Sequence, residues 1–178
     1  MHSSFNSLID LYHKHKENTL CLDIETCFLN GPISVIGIYK PKSGHIDYSS
    51  FIKGKNLTPT LLKDAFQDCH ILITYNGIKH DIPKIRLEFP NALPAHIKIL
   101  DLYLLAKALG LGTNLTTLEN TLRIDRSDSI LRKRRAIQMW KAYERYNDLS
   151  ALKKLIEYNR EDTINLYPIL EELIKKIK

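Results

Sequence analysis

The sequence predicts an α/β fold in which a mixed sheet carries helices on both faces and the chain ends in a helical part. Two observations predict it. Between Thr19 and Phe51, three strand-like segments rich in apolar and β-branched residues follow one another with short turns between them, a pattern typical of an antiparallel meander. Two further short strands then alternate with helical segments, which indicates parallel strands joined by helices.

The strands are bounded by local turn signals. We predict them at residues 19–25, 33–39, 45–51, 71–74 and 97–100. The turn Asn30-Gly31-Pro32 separates the first two strands, and a turn over residues 41–44 separates the second from the third. The sheet is therefore expected to hold three antiparallel strands followed by two parallel ones.

The helices are predicted from apolar residues that recur at helical spacing. Residues 5–16 form the first helix, and Thr58-Pro59 begins a second that ends near Gln67. Asp81 and Asp101 stand at the starts of two more, where an aspartate commonly caps the helix. The helix after Asp101 is predicted at residues 102–109. The remaining helices are predicted at residues 115–122, 130–146 and 149–158, and a continuation of the last through 162–177 is left open. With no linker in the sequence, we predict one domain over residues 1–178, made of an amino-terminal helix (1–17) and a core (18–178).

Composition excludes several classes of protein. The chain is 44% hydrophobic and 26% charged, which is ordinary for a soluble globular protein. It has no apolar stretch long enough for a membrane span and no signal-peptide pattern at its start. The three cysteines are odd in number and lack Cys-x-x-Cys spacing, which argues against a disulfide framework or a structural zinc site and favours a reducing cytoplasm.

The net charge of +6 permits binding to nucleic acid. The densest basic cluster is Arg132-Lys133-Arg134-Arg135, at the start of a long predicted helix. Arg132 and Arg135 are candidates for phosphate contact, and a solvated basic helix face remains an equal alternative. Trp140, in the same helix, is predicted to lie in the core.

The stretch Leu20 to Thr26 ends a strand with two carboxylates, Asp23 and Glu25. Residues two apart on a strand point to one face, so these acids would lie side by side and repel each other. A divalent cation would neutralise both. The alternative is a strand end whose two acids are simply solvated.

Asp81 and the pair Tyr158 and Asp162 could contribute to the same site as Asp23 and Glu25. Asp81 follows the fourth strand and the Asn76-Gly77 turn, although it could equally be a plain helix cap. Tyr158 and Asp162 are four residues apart, so on a helix they share one face. The alternative for that pair is a core tyrosine beside an unrelated surface acid.

The order of these acids resembles the DEDD superfamily of 3′-to-5′ exonucleases, which has a ribonuclease H-like fold. The tyrosine four residues before the last aspartate resembles its DEDDy branch. Longer segments are similar to the YprB-type ribonuclease H-like domain over residues 20–173, namely T-Y-N-G-I-K-H-D-I-P, I-L-D-L, L-T-T-L-E, M-W-K-A-Y-E and L-I-E-Y-N-R-E-D-T-I-N-L. One departure is His80, where that group usually has Phe; we expect its ring to pack as Phe would.

The resemblance implies a site with two Mg²⁺ or Mn²⁺ ions, which prefer carboxylate ligands. Asp23, Glu25 and Asp162 would hold one ion. Asp23 would bridge to the second ion, which Asp81 would reach, and Tyr158 would orient the attacking water. Substrate contacts are expected from the turn Asn76-Gly77 and from Cys27-Phe28. Arg160 and Glu161 are predicted to be surface residues.

We therefore expect a metal-dependent 3′-to-5′ exonuclease of DNA or RNA that takes the 3′ end of a single strand. The resemblance also leaves open a protein partner that delivers substrate. The alternative is a catalytically silent nucleic-acid-binding or adaptor module on the same fold.

Overall fold

The computed structural model describes residues 2–42, 45–111, 114–126 and 133–177. Its strands form one five-stranded sheet in the order β3-β2-β1-β4-β5. β1 pairs antiparallel with β2, and β2 with β3, whereas β4 pairs in parallel with both β1 and β5. The predicted mixed sheet is confirmed. The strands are β1 (Thr19–Thr26), β2 (Ile33–Lys42), β3 (His45–Ile52), β4 (Ile71–Thr74) and β5 (Lys98–Asp101).

The helices follow the predicted order. They are α1 (His2–Lys14), α2 (Pro59–Ala65), α3 (Asp81–Glu88), α4 (Leu102–Ala108), α5 (Leu115–Leu122), α6 (Lys133–Tyr146) and α7 (Leu149–Lys175), with a short 3₁₀ helix at Lys16–Asn18. α7 is one continuous helix of 27 residues that includes Pro168, so the continuation left open by the sequence is real.

The second strand is longer than predicted. Pro41 was expected in a turn, but β2 continues through it to Lys42, because β3 pairs with it along that length. Residues 43 and 44 of that predicted turn lie outside the described residues, as does the predicted start of α6 at residue 130.

Apolar residues of β1 alternate between the two faces of the sheet. Leu20 and Leu22 pack on one face with residues of α2 and α3, whereas Cys21 packs on the other face with α4 and α7. Because strand side chains alternate, Asp23 and Glu25 continue the Cys21 face. The fold thus directs both acids toward α7.

A third apolar cluster joins α6 to the sheet and to the first half of α7. It contains Trp140, Cys27, Val35 and Leu155, and Trp140 is 2% exposed. The prediction that Trp140 lies in the core is confirmed. Within the described ranges, no helix is both long and apolar enough to span a bilayer.

Candidate metal and nucleic-acid site

Three carboxylates meet where β1 ends beneath α7. One oxygen each from Asp23, Glu25 and Asp162 lies within 4.8 Å of the other two. Glu25 and Asp162 are buried, and Asp23 is half-buried. Like charges this close and this poorly hydrated repel one another, and a divalent cation would relieve that repulsion. Three carboxylates without nitrogen or sulfur ligands are a donor set that suits hard ions such as Mg²⁺ or Mn²⁺.

The electrostatics of Asp162 reflect its burial. Desolvation raises the pKa of this carboxyl to about 6, although the nearby Arg126 guanidinium works in the opposite direction. Loss of hydration is thus the larger effect. Asp162 therefore takes up a proton more readily than a solvated aspartate does.

Tyr158 lies one helical turn before Asp162, and its hydroxyl hydrogen-bonds to that carboxylate. Burial is the main reason that the pKa of this phenol is raised, and the negative charges of Asp162, Glu25 and Asp23 raise it further. The phenol therefore stays protonated at neutral pH and can donate a hydrogen bond. The i,i+4 spacing correctly predicts that the hydroxyl and the carboxylate meet.

Asp81 lies after β4, the strand that runs parallel to β1. Cys21 of β1 pairs with Ile73 of β4, so both strands end at this edge. Asp81 is the first residue of α3 and is 8% exposed. Among the described residues, it is not part of the three-carboxylate group.

The Asn76-Gly77 turn before Asp81 uses its two residues in different ways. Asn76, and not the glycine, adopts the left-handed backbone, with φ of 59°. Gly77 is needed for space, since a Cβ atom there would lie 2.5 Å from Thr74 Oγ1 and 3.0 Å from Asp81 Oδ2. Gly77 therefore lets the turn pack closely on Asp81.

Asp101 caps α4, as predicted, and also fixes this turn. Its carboxylate accepts hydrogen bonds from the backbone N–H groups of Tyr103 (3.0 Å), Asn76 (2.8 Å) and Ile78 (3.1 Å). The side chain is buried, so it ties β5 to the turn that leads to Asp81. His80, in contrast, is exposed, and the expectation that its ring packs as Phe would is wrong.

Asn159 holds Asp23 and was missed by the sequence analysis. This fully buried amide donates through Nδ2 to Asp23 Oδ2 at 2.8 Å and accepts at Oδ1 from the Tyr48 hydroxyl at 3.0 Å. Gly37 lies opposite Asp23 in β2, and a Cβ there would be 2.2 Å from Asn159 Oδ1. The one sequence signal was the position of Asn159 directly after Tyr158.

Arg126 and Glu119 are the second feature that the sequence analysis missed. Arg126 donates through Nη2 to Asp162 Oδ1 at 2.5 Å and through Nη1 to Glu119 Oε2 at 2.8 Å. Glu119 is fully buried and its other oxygen accepts from Asn165 Nδ2 at 2.8 Å. In the sequence, both charged residues look like ordinary surface positions.

The predicted substrate residues differ in exposure. Cys27 is 3% exposed, whereas Phe28 is 53% exposed and its ring lies over Gly31. Phe28 is therefore the better placed of the two for a contact. Arg135 is exposed near the start of α6, and Arg132 lies outside the described residues.

Arg160 and Glu161, which were both expected at the surface, differ in their exposure. Arg160 is half-buried and forms a surface ion pair with Glu157 at 3.0 Å. Glu161 is 9% exposed, so its predicted surface position is wrong. The reason is that α7 packs against α6 and against the sheet as well as against α4 and α5.

The fold and the site together define an α/β protein with a carboxylate cluster of a kind suited to divalent cations. A family model described as the RNase H superfamily matches residues 20–174. The chain belongs to the RNase H superfamily. No curated protein matches the chain.

Solved structures support the fold. The chain is similar to a family B DNA polymerase from the hyperthermophilic archaeon Pyrobaculum calidifontis, with a TM-score of 0.67 and 14% identity over 88% of this chain and 24% of that chain. It thus spans about a quarter of the polymerase's length. A structure of Exonuclease X in complex with 5′ overhanging duplex DNA has a TM-score of 0.40 and 17% identity, over 64% of this chain and 79% of that chain. Likeness at these identities concerns the fold alone, and the second is too weak to support an inference.

Proposed function

We propose that the protein is a DEDDy-type, metal-dependent 3′-to-5′ exonuclease that hydrolyses the phosphodiester bonds of DNA or RNA. The observation that carries the proposal is the meeting of Asp23, Glu25 and Asp162 within 4.8 Å, beside the Tyr158 hydroxyl. The protonated phenol beside these carboxylates is suited to orienting a water molecule at such a site. Membership of a superfamily that includes nucleases supports the same conclusion.

Within this proposal, Asp23, Glu25 and Asp162 would hold one Mg²⁺ or Mn²⁺ ion, and Asp23 and Asp81 would hold a second. When bound, two such ions would activate water and neutralise the leaving oxygen. Neighbouring groups of the protein hold the proposed metal ligands in place. Asn159 holds Asp23 through its amide, and the buried strand β1 keeps the two acids of the Asp-x-Glu pair on one face.

Tyr158 has a positioning role in this proposal. Its raised pKa keeps the hydroxyl protonated, so it does not act as a base. In this proposal, the hydroxyl would turn from the Asp162 carboxylate to donate a hydrogen bond that orients the attacking water. The Asn76-Gly77 turn and the exposed ring of Phe28 are proposed to contact the terminal nucleotide. Exposed basic side chains such as that of Arg135 are proposed to contact the phosphates of the nucleic acid.

We further propose that residues 1–178 act as one domain and that the substrate is a single strand presented by its 3′ end. The three cysteines are free and buried, which fits a reducing compartment such as the cytoplasm. A protein partner that delivers substrate remains part of the proposal.

The test uses single-stranded DNA and RNA of one sequence, each labelled at the 5′ or the 3′ end, with Mg²⁺, Mn²⁺ or a chelator. A 3′-to-5′ exonuclease shortens the 5′-labelled strand stepwise and releases the 3′ label as a mononucleotide at once. We expect shortening that depends on the metal and is lost in Asp23→Asn. Asp64→Asn is the matched control, because it removes the same charge from an exposed position on α2.

The outcomes separate the two functions. Binding of nucleic acid without shortening under every metal would overturn the enzyme and favour the catalytically silent binding module. Release of the 5′ label first would overturn the direction of cleavage. Shortening that survives Asp23→Asn would place the chemistry elsewhere.

A further inference from the structure

Arg126 forms a buried ion pair with Asp162, one of the three carboxylates of the candidate metal site. Its guanidinium bridges Asp162 and Glu119, and the side chains of these three residues are 10%, 10% and 1% exposed. Glu119 is itself held by Asn165, three residues beyond Asp162 on α7. The Arg126 group also lies over the Tyr158 ring, 5.8 Å from its centroid. The guanidinium is therefore fixed on several sides.

This arrangement restricts what Asp162 can offer a cation. Arg126 engages one carboxylate oxygen, Oδ1, and a divalent ion on that same oxygen would lie beside a positive guanidinium. Like charges at that distance repel strongly where water is largely absent. The Tyr158 hydroxyl also hydrogen-bonds to this carboxylate, but a carboxylate oxygen can accept more than one contact. The oxygen that Arg126 does not engage can therefore still bind a cation, and Asp162 is confined to single-oxygen coordination.

Coordination through one oxygen affects divalent ions differently. Mg²⁺ needs a near-octahedral shell with short bonds and keeps several waters, so a carboxylate that offers one oxygen suits it. Ca²⁺ takes more ligands at longer distances and commonly uses both oxygens of a carboxylate. A site that withholds one oxygen of a central ligand therefore disfavours Ca²⁺.

We propose that Arg126 is a positioning residue that sets the metal preference of the site by holding Asp162 to one coordinating oxygen. This inference rests on the proposed function, since it assumes that the three carboxylates bind a divalent ion. It assigns a role to the buried ion pair with Glu119, which the exonuclease mechanism itself does not use. Arginine is suited to that role because its planar fork reaches two carboxylates at once.

The expected effect is a change in preference and not only in affinity. Removing a positive charge near the site would raise the affinity for Mg²⁺ and Ca²⁺ about equally. Releasing the second oxygen of Asp162 would favour Ca²⁺ alone. Changes to groups that hydrogen-bond metal ligands typically alter metal affinity by about 10-fold to 100-fold, so we expect the Mg²⁺-over-Ca²⁺ preference to fall about 10-fold.

The experiment measures the dissociation constants of Mg²⁺ and Ca²⁺ by titration calorimetry on the chelator-treated full chain without substrate. Arg126→Lys keeps the charge and loses the fork. The double variant Arg126→Gln with Glu119→Gln removes both charges of the second ion pair, so Glu119 is not left as a buried carboxylate without its arginine if the single change proves too disruptive. Arg160→Gln is the matched control, since it removes one positive charge two residues from Asp162 while leaving the pair with Arg126 intact.

We expect the preference for Mg²⁺ to fall in Arg126→Lys and in the double variant, and to stay at the wild-type value in Arg160→Gln. An unchanged preference in the first two variants, or an equal gain for both ions, would overturn the role of Arg126 while leaving the exonuclease proposal intact. Wild-type protein that binds neither ion would overturn the metal site of the proposed function, and this inference with it.

Discussion

Substituting Gly37 by alanine tests whether the Asn159 amide organises the site. Gly37 lies opposite Asp23 in the β1–β2 pair, and its Cα faces the side chain of Asn159. An added Cβ would lie 2.2 Å from Asn159 Oδ1 and 2.5 Å from Thr163 Oγ1. Real Cβ atoms do not approach other atoms so closely, so the Asn159 amide must move.

The cost can be estimated from the contacts that this movement breaks. Forcing an extra methyl group into a packed interior costs about 1–3 kcal/mol. Asn159 would also lose bonds of 2.8 Å to Asp23 and 3.0 Å to Tyr48. A bond to a charged group contributes about 1.5–3 kcal/mol and a neutral one about 1 kcal/mol. We expect the free energy of unfolding to fall by about 3 kcal/mol, because partial relaxation recovers some of these contacts.

Urea unfolding followed by circular dichroism measures this loss, and Mn²⁺ titration measures the effect on the site. We expect Gly37→Ala to weaken Mn²⁺ binding about 10-fold, since Asp23 loses the amide that orients it. The matched background is Asn159→Ala, which removes the clashing amide. In the Asn159→Ala background, Gly37→Ala should lower the free energy of unfolding by about 1 kcal/mol less than it does in the wild type. Equal costs in the two backgrounds, or wild-type Mn²⁺ binding in Gly37→Ala, would refute the reasoning.

Three further predictions concern Tyr158, Asp162 and Asp101. Tyr158→Phe should lower the rate of hydrolysis about 100-fold by misplacing the nucleophile, while calorimetric Mg²⁺ affinity stays unchanged; equal losses of both would contradict a positioning role. In chelator, Asp162 should titrate in carboxyl ¹³C spectra with a pKa of about 6, raised by burial. The pKa of an aspartate in the unfolded chain is about 3.9, so the folded protein binds the proton more tightly. The contribution of Asp162 to the free energy of unfolding should therefore decrease as the pH rises from about 4 to about 6, and a titration midpoint near pH 4 for Asp162 would contradict this. Asp101→Asn places an amide NH₂ group against backbone donors and should reduce the free energy of unfolding by about 2 kcal/mol in urea, whereas an unchanged midpoint would show that the buried carboxylate is dispensable.

Local periodicity explains what the sequence could predict. The alternation of apolar residues in β1 is enough to place Asp23 and Glu25 on one face, and helical spacing is enough to bring Tyr158 to Asp162. The cap at Asp101 follows from its residue type alone. These features depend on neighbours within a few positions along the chain.

The errors have a common physical origin in tertiary packing. Asn159 looks like any polar residue on a helix until β2 and β3 bring Gly37 and Tyr48 against it. Arg126 and Glu119 are only seven positions apart, but their pair is built into the site through the contacts of Arg126 with Asp162 and of Glu119 with Asn165, both on α7. Such contacts join distant segments, so no local pattern in a single sequence records them.

The distance along the chain between the two halves of the site has a consequence for its assembly. Asn159 and Asp23 touch across 136 positions, and β1 is among the first elements while α7 is the last. Contacts between such remote segments form late, because a large loop must close before they can be made. A nascent chain still lacking α7 holds Asp23 and Glu25 without Asp162. During synthesis, the carboxylate cluster would therefore be completed only after α7 has emerged, so a shorter nascent chain lacks the site on which the proposed nuclease activity depends.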